Sequence, residues 1–428
     1  MPMSTGFARR LDPVLPEVAR HFGTPFHIYD LQGLRETCEH FNETFAATPY
    51  REYFAVKGQP NPTMLRYLTQ YGFGFDCSSP AEIVAAAKAG ARGEDICFTS
   101  NNTSYEELEI ALRLGAIITV DDETVVDKLL AVDAAPRSLC LRVHPGTAAD
   151  VGESYLGDAL SAKFGIRIDR LPEVAAKATG LPAESFGLHM MLGSGFLHPD
   201  PYFVSLDLLL EQVTRLRDGL GLEITFLNLG GGIGIPYRPA ERPFDLPALA
   251  KGVVERLRAW EQRSGRPRPR ILFESGRYVL TPHGVLVTRV LNRMSKWREY
   301  VGVDAGMSAV VRPAMYADAY HHITVHDADG RSEETVDVVG SLCENNDKFG
   351  IARTLPKTTE GDLLLIHDTG AHALSMGFTY NGRLRPQELL LHPDGTVERI
   401  RRAETIDDYF ATLDFAPDRL SPAPAALM

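Results

Sequence analysis

The stretch Tyr53-Phe54-Ala55-Val56-Lys57-Gly58-Gln59-Pro60 carries an apolar run into a lysine and then into two residues that interrupt regular backbone. A short apolar run predicts a buried strand, and Gly58 and Pro60 predict that the strand ends there. The amine of Lys57 is therefore expected at the carboxyl end of a buried strand. A single lysine at such a place is explained more simply by a stem that packs on the strand while its ammonium group reaches water.

Further apolar runs follow, separated by helical patterns in which apolar residues recur three and four positions apart and glycine closes the pattern. The runs are 53–57, 73–77, 95–99, 116–120, 138–143, 185–191, 224–229 and 271–275. Eight strands that alternate with helices predict a parallel (β/α)8 barrel over residues 31–280. A doubly wound sheet is the alternative, because alternation alone does not require closure.

The segments after residue 280 are β-like and contain few helical patterns. They predict a second domain, an antiparallel β barrel or sandwich, over residues 281–428. The short strand at 26–30 precedes the predicted barrel, so residues 1–30 are assigned to this second domain as well.

Composition and charge narrow the class of protein. Hydrophobic residues make up 44% and charged residues 23% of the chain, which is typical of globular domains. A net charge of −12 with both signs interspersed argues against nucleic-acid and membrane partners. No apolar run is long enough to span a membrane, and the N-terminus has no apolar core of a signal peptide. A cytoplasmic location is expected.

The five cysteines form no C-x-x-C pair and no spacing typical of a metal site, so no metal is predicted. Cys38, Cys77, Cys97 and Cys140 lie in apolar stretches and are expected in the core. Cys343 lies in a polar, turn-like segment, where a thiol can be functional.

Functional groups of a (β/α)8 barrel collect at the carboxyl ends of its strands. The glycines at 230–232 and 234 let backbone N–H groups approach an anion, and Ser194 adds a hydroxyl donor. Glu274 can keep a pyridine nitrogen protonated, and Arg277 can bind a carboxylate or phosphate. An amine at Lys57, an anion cradle and a strand-end carboxylate together predict pyridoxal 5′-phosphate as cofactor.

At this point the chain resembles a known family, the fold-type III pyridoxal-phosphate-dependent decarboxylases, and most closely the diaminopimelate decarboxylases. The matching stretches are 53–58, 75–83, 161–166, 187–195, 229–234, 274–277, 312–316, 343–347, 370–376 and 380–381. The resemblance implies an alanine racemase-like fold, a homodimer with shared active sites, and conversion of meso-2,6-diaminopimelate to L-lysine and carbon dioxide.

The resemblance also implies roles for individual residues. Lys57 would form the internal aldimine, and Cys343 would reach the partner's active site as the proton donor. The implied cofactor-binding residues are Lys57, Asp76, His189, Met191, Ser194, Gly231, Gly232, Gly234, Glu274, Gly276, Arg277 and Tyr380. The implied substrate-binding residues are Arg277, Arg312, Tyr316, Glu344 and Tyr380. Two arginines and an acid suit a substrate whose far end carries a carboxylate and an amine.

The chain departs from the family pattern at the position of the histidine that stacks on the cofactor ring, which is Met191 here. Gly58-Gln59, Ser275 and His372 also replace residues that are usual in the family. These departures keep alternatives open: a decarboxylase of the same fold that acts on a D-configured, ornithine-like, lysine-like or carrier-bound amino acid, or a catalytically inactive regulator. A racemase is less compatible, because it would need a tyrosine base where Cys343 stands.

Overall fold

The computed structural model describes residues 3–146 and 161–413. Its strands are β1 (Phe26–Asp30), β2 (Tyr50–Ala55), β3 (Gly74–Cys77), β4 (Ile96–Thr99), β5 (Ile117–Val120), β6 (Ser138–His144), β7 (Ile166–Arg167), β8 (Ser185–His189), β9 (Ile224–Asn228), β10 (Arg270–Phe273), β11 (Gly284–Ser295), β12 (Glu299–Val303), β13 (Ile323–Val325), β14 (Glu333–Val339), β15 (Lys348–Pro356), β16 (Leu363–Ile366), β17 (Gln387–Leu391) and β18 (Val397–Arg401).

The helices alternate with the strands of the first half and are sparse in the second. They are α1 (Thr5–Leu11), α2 (Leu15–Phe22), α3 (Leu31–Phe45), α4 (Pro62–Thr69), α5 (Pro80–Lys88), α6 (Tyr105–Arg113), α7 (Glu123–Ala131), α8 (Leu171–Ala178), α9 (Asp200–Leu220), α10 (Leu246–Ser264), α11 (Gly276–Leu280), α12 (Arg312–Met315) and α13 (Ile406–Phe410). Within the described ranges, no helix has the length and apolar character needed to cross a membrane.

Eight parallel strands form a closed barrel, which confirms the predicted fold and excludes the doubly wound alternative. The strands pair in the order β2-β3-β4-β5-β6-β8-β9-β10, and β10 returns to β2. The predicted first strand was too long at its carboxyl end. It ends at Ala55, and Lys57 lies in a 3₁₀ turn in which Gln59 donates its backbone N–H to Val56 at 3.0 Å.

The barrel interior has an apolar layer with a polar layer above it. Residues two apart on a strand share a face, so the residue two positions beyond an inward apolar residue also points inward. By this rule His189, Asn228 and Glu274 point into the barrel. They lie two positions beyond Gly187, Phe226 and Leu272. The apolar cluster is Tyr53, Cys97, Ile117, Cys140, Phe226 and Leu272.

Glycine at position 187 makes room for this packing. A Cβ built on Gly187 would lie 2.1 Å from the ring of Phe226. The four cysteines expected in the core are buried, as predicted, and Cys343 is exposed.

The second sheet contains nine strands and is mixed rather than wholly antiparallel. The β1–β17 and β12–β14 pairs are parallel, whereas the remaining pairs are antiparallel. The prediction of an antiparallel domain was wrong at these two pairs. Neither pair is joined by a hairpin, and only a hairpin forces neighbouring strands to run in opposite directions.

Candidate active site

The turn that carries Lys57 stands at the mouth of the barrel beside Asp76, the inward residue near the end of β3. Lys57 Nζ lies 3.9 Å from Asp76 Oδ2, and the Lys57 side chain is about half exposed while Asp76 is buried. Burial, followed by the negative charge of Glu274, raises the pKa of Asp76 to about 8, although Lys57 acts in the opposite direction. Asp76 therefore gives up its proton less readily than an exposed aspartate does.

Glu274 is the second buried carboxyl group at this mouth and directly follows β10. Asn228 donates its side-chain N–H to Glu274 Oε1 at 2.7 Å, and His189 Nε2 lies 3.5 Å from Glu274 Oε2. Burial alone would raise the pKa of Glu274, but His189, Lys57 and Asn228 outweigh burial and lower it to about 2. Glu274 is thus a buried, ionised carboxylate that can hold a proton on a ring nitrogen.

The glycines after β9 pack directly on backbone. A Cβ at Gly231 would lie 2.3 Å from the Glu274 carbonyl oxygen, and a Cβ at Gly232 would lie 2.4 Å from that of Gly193. Gly232 also has φ +94°, which side chains rarely adopt. Gly234 is equally crowded, with a would-be Cβ 2.5 Å from the Gly195 carbonyl oxygen.

The glycine loop is tied to the segment that contains Ser194. Gly195 and Phe196 donate their backbone N–H groups to the Gly232 carbonyl at 2.9 and 3.1 Å. Ser194 is half-buried between these contacts. Two loops with little side-chain bulk therefore meet, and such a junction can serve as a cradle for an anion.

Met191 lies over the start of the glycine loop. A Cβ placed on Gly230 would be 2.8 Å from Met191 Cβ and 3.3 Å from His189 Nε2. His189 is almost wholly buried beneath, whereas Met191 is half-buried. Both residues therefore stand at the mouth, where the resemblance placed the ring-covering residue.

Arg277 and Arg312 converge on one tyrosine. The guanidinium carbons lie 5.8 and 5.7 Å from the centroid of the Tyr237 ring, and Arg277 Nη1 donates a hydrogen bond to the Tyr237 hydroxyl. Arg312 is also 5.5 Å from the ring centroid of Tyr316. Both arginines are buried and line a cavity of about 80 Å³. Buried guanidinium groups in a small cavity are suited to bind a carboxylate.

The segment that contains His372 and Ser375, in the second half of the chain, packs on the turn that carries Lys57. His372 donates its backbone N–H to the Gly58 carbonyl at 2.9 Å, and the Ser375 hydroxyl donates to the same carbonyl at 3.0 Å. Burial and the charges of Arg277, Lys57 and Arg312 hold the pKa of His372 well below its usual range. A neutral imidazole thus lies beside the lysine turn.

The remaining predicted residues make their hydrogen bonds with residues of the second half of the chain. Cys343 is exposed, and its backbone N–H donates to Asn381 Oδ1 at 2.7 Å. Glu344 accepts a hydrogen bond of 3.0 Å from the backbone N–H of Asn346, and Tyr380 is about half exposed. Within the described residues, none of the three has a hydrogen bond or ion pair to the barrel residues above.

Gly276 begins the short helix α11. A Cβ at Gly276 would lie 3.1 Å from Ala55 Cβ, which keeps this turn close to the end of β2.

Sequence reasoning missed two residues of the site, Asn228 and Tyr237. Their signal was position: Asn228 is the last strand residue before the glycines, and Tyr237 follows the loop by three residues.

The residues at the mouth fit pyridoxal 5′-phosphate. The group needs an amine, an ionised acid for its ring nitrogen and a cradle for its phosphate, and Lys57, Glu274 and the glycine loop match these needs in turn. Asp76 Oδ1, His189 Nδ1 and Ser275 Oγ are also buried without a hydrogen-bond partner in the described structure. Buried polar atoms of this kind usually have a partner, and a polar ligand would provide one.

A closed parallel barrel with a lysine, a buried ionised carboxylate and an anion cradle at its mouth defines a pyridoxal-phosphate-dependent barrel enzyme. Residues 31–281 match the family profile described as "Pyridoxal-dependent decarboxylase, pyridoxal binding domain". The chain belongs to this family, and it is a pyridoxal-phosphate-dependent carboxy-lyase that acts on an amino acid.

Curated relatives match over nearly the whole chain. Protein TabA of Pseudomonas amygdali pv. tabaci is 46% identical over 418 residues, covering 97% of each chain. The diaminopimelate decarboxylase of Methanothermobacter thermautotrophicus is 34% identical over 395 residues, covering 92% of each.

Solved structures agree with the fold. Diaminopimelate decarboxylase of M. jannaschii in co-complex with L-lysine superposes with a TM-score of 0.85 at 27% identity, covering 94% of each chain. The Helicobacter pylori diaminopimelate decarboxylase complexed with L-lysine superposes with a TM-score of 0.83 at 28% identity, covering 93% of this chain and 98% of the other.

Proposed function

We propose that this enzyme removes one carboxylate of meso-2,6-diaminopimelate and forms L-lysine. The observation that carries the proposal is the convergence of the buried Arg277 and Arg312 on Tyr237. The far end of the substrate carries a carboxylate that two guanidinium groups can bind, whereas ornithine or lysine has no carboxylate there. The names of several relatives and the L-lysine complexes of solved structures support the same substrate.

Pyridoxal phosphate, when bound, supplies an electron sink for the charge that is left when carbon dioxide departs. In this proposal Lys57 holds the cofactor covalently, and Glu274 keeps its ring nitrogen protonated. Ser194 and the glycines at 231, 232 and 234 bind the phosphate. Asp76, His189, Met191, Gly276 and Tyr380 complete the cofactor site.

The proposal includes a homodimer. Cys343 and Glu344 lie on an exposed loop, where a second copy of the chain can be reached. Cys343 would deliver the proton that replaces carbon dioxide, and Glu344 would bind the distal amine of the substrate, each in the active site of the partner. The distal carboxylate would be held by residues of the chain that binds the cofactor, namely Arg277, Arg312, Tyr316 and Tyr380.

A panel of amino acids assayed for carbon dioxide release tests the substrate. The purified protein should absorb at about 420 nm, as pyridoxal phosphate bound through a lysine does. We expect release from meso-diaminopimelate and little from ornithine, lysine or arginine. Arg312→Met should raise KM for meso-diaminopimelate by about a hundred-fold, the cost of one charge-assisted hydrogen-bond pair.

Arg258→Met is the matched control, because Arg258 lies exposed on α10 and outside the cavity. Faster release from ornithine or from a D-configured amino acid than from meso-diaminopimelate would overturn the proposed substrate while leaving the decarboxylase class intact. A colourless protein that releases no carbon dioxide would favour the inactive regulator instead.

A further inference from the structure

Two arginines from different parts of the fold meet on the ring of Tyr320. The guanidinium carbon of Arg238 lies 4.3 Å from the ring centroid, and that of Arg353 lies 3.7 Å from it. Arg238 follows the glycine loop of the barrel, whereas Arg353 belongs to β15 of the second sheet. Cation–π contacts at these distances hold both side chains in place.

These residues line a cavity of about 300 Å³, here called the Tyr320 cavity. The charged residues that line it are Arg238, Lys348 and Arg353, and no acidic residue of the described chain is among the lining residues. The Tyr320 cavity also shares Arg238, Ala319 and Tyr320 with the smaller cavity of Arg277 and Arg312. It therefore adjoins the arginine pair that the proposed function assigns to the substrate.

The cations of the Tyr320 cavity are poorly neutralised. In the described structure neither Lys348 nor Arg353 has an ion pair, and Arg353 Nε is buried without a hydrogen-bond partner. Arg238 meets Glu241 only at 3.8 Å. Burial, together with the charge of Arg238, lowers the pKa of Arg353. Like charges held close together with little neutralisation are unfavourable, and a bound anion would relieve this repulsion.

Glycine at position 350 leaves room for the side chain of Arg353 beside the Tyr320 cavity. A Cβ at Gly350 would lie 2.5 Å from Arg353 Nε and 3.1 Å from the side chain of Ile323. The space that Arg353 occupies thus depends on the absence of a side chain at this position. The space beside Gly350 and the contact with the Tyr320 ring together position the guanidinium group.

We propose that the Tyr320 cavity is a second anion subsite, which binds the carboxylate of a small dicarboxylate ligand. Its position next to Arg277 and Arg312 makes it a capture site from which a carboxylate passes to the substrate pocket. The assignment of that carboxylate to the substrate rests on the proposed function, but the anion site itself does not. The overall charge of −12 repels anions, so a local cluster of cations also raises the rate of capture.

The test is a calorimetric titration of glutarate, a five-carbon dicarboxylate, into the full-length enzyme loaded with pyridoxal phosphate. Arg353→Met should weaken glutarate binding by about ten-fold or more, since a charge-assisted hydrogen bond is lost. Arg353→Lys should recover part of the affinity, and the control Arg258→Met should leave it unchanged. The cofactor absorbance should be the same in all four proteins, which checks that each variant is folded.

Equal affinity of wild type and Arg353→Met for glutarate would overturn the subsite, because glutarate would then bind elsewhere. Inorganic phosphate that binds more tightly than glutarate, with the same dependence on Arg353, would overturn the assignment to carboxylate. A wild type that binds no glutarate, with Arg353→Met sedimenting as a smaller species, would assign the cavity to a second copy of the chain.

The two proposals fail separately. If meso-diaminopimelate is not decarboxylated but glutarate binds through Arg353, the substrate is wrong and the anion subsite stands. If meso-diaminopimelate is decarboxylated with the same KM in wild type and Arg353→Met, and glutarate does not bind, the subsite is wrong and the proposed function stands.

Discussion

Asn228 donates a hydrogen bond of 2.7 Å from its side-chain amide to the carboxylate of Glu274. The oxygen of the same amide accepts the backbone N–H of Gly230 at 2.9 Å. One side chain therefore sets the direction of the buried acid and also fixes the start of the glycine loop. In the proposed site, Asn228 would thereby hold the distance between the carboxylate assigned to the ring nitrogen and the loop assigned to the phosphate.

Asn228→Asp should weaken cofactor binding. The substitution replaces a hydrogen-bond donor by a carboxyl group next to Glu274, so the pKa of Glu274 should rise. Glu274 should then become protonated, and lose its negative charge, at a higher pH. We expect the dissociation constant of pyridoxal phosphate to increase by about ten-fold, as for the loss of one charged hydrogen bond. Titrations of the protein with pyridoxal phosphate at several pH values, followed by absorbance, measure this dissociation constant. Unchanged affinity at every pH would show that Asn228 does not position Glu274.

Gly232→Ala should abolish tight binding of the cofactor phosphate. The added Cβ would lie 2.4 Å from the Gly193 carbonyl oxygen and would require an unfavourable backbone angle, because φ is +94°. Gly395→Ala is the matched control, with φ +86° and nothing within 4 Å of the added Cβ. Both variants should lose about 1 kcal/mol of stability from backbone strain. Only Gly232→Ala should also lose cofactor, and equal cofactor content in the two would contradict this role.

Asp76→Asn should change how the stability of cofactor-free protein depends on pH. The pKa of Asp76 is raised to about 8 in the folded chain, whereas an unfolded aspartate has a pKa of about 3.9. Between these values the folded state binds the extra proton, so this group's stabilisation is complete below about pH 4 and is lost as pH rises to about 8. The loss is at most about 1.4 kcal/mol per pH unit.

Thermal unfolding at a series of pH values compares the two proteins. Wild type should lose stability relative to Asp76→Asn as pH rises through this window. A constant difference between the two proteins from pH 5 to pH 8 would show that Asp76 titrates normally.

Cys343→Ala should slow turnover and leave the cofactor absorbance unchanged. Loss of a general acid typically lowers the rate by about a hundred-fold to ten-thousand-fold. Ser341→Ala, in the same loop, is the control and should retain full activity. The comparison uses carbon dioxide release together with the visible spectrum. Wild-type rates of lysine formation in Cys343→Ala would remove this thiol from the mechanism.

Much of the barrel and of its mouth could be predicted from the sequence. Apolar runs of strand length report burial directly, so all eight barrel strands were found, and the residues that end them were placed at one mouth. The end of β2 was placed two residues too late, because the apolar run continues through Val56 into a turn. That turn is defined by the hydrogen bond that the Gln59 N–H donates to the Val56 carbonyl. Strand direction in the second sheet was not predictable, because long connections leave direction free.

The sequence by itself determined the kinds of group that we propose for the active site: the amine at Lys57, the acid at Glu274 and the glycines after β9. These depend on residue type and on local pattern, both of which are present in the chain. Only the tertiary structure decided which carboxyl group is ionised and which arginines act together. Those properties depend on burial and on distances between residues far apart in the chain, such as His189 and Glu274, or Arg238 and Arg353 on Tyr320. Electrostatic interactions change steeply with distance and burial, and neither quantity can be read from the sequence alone.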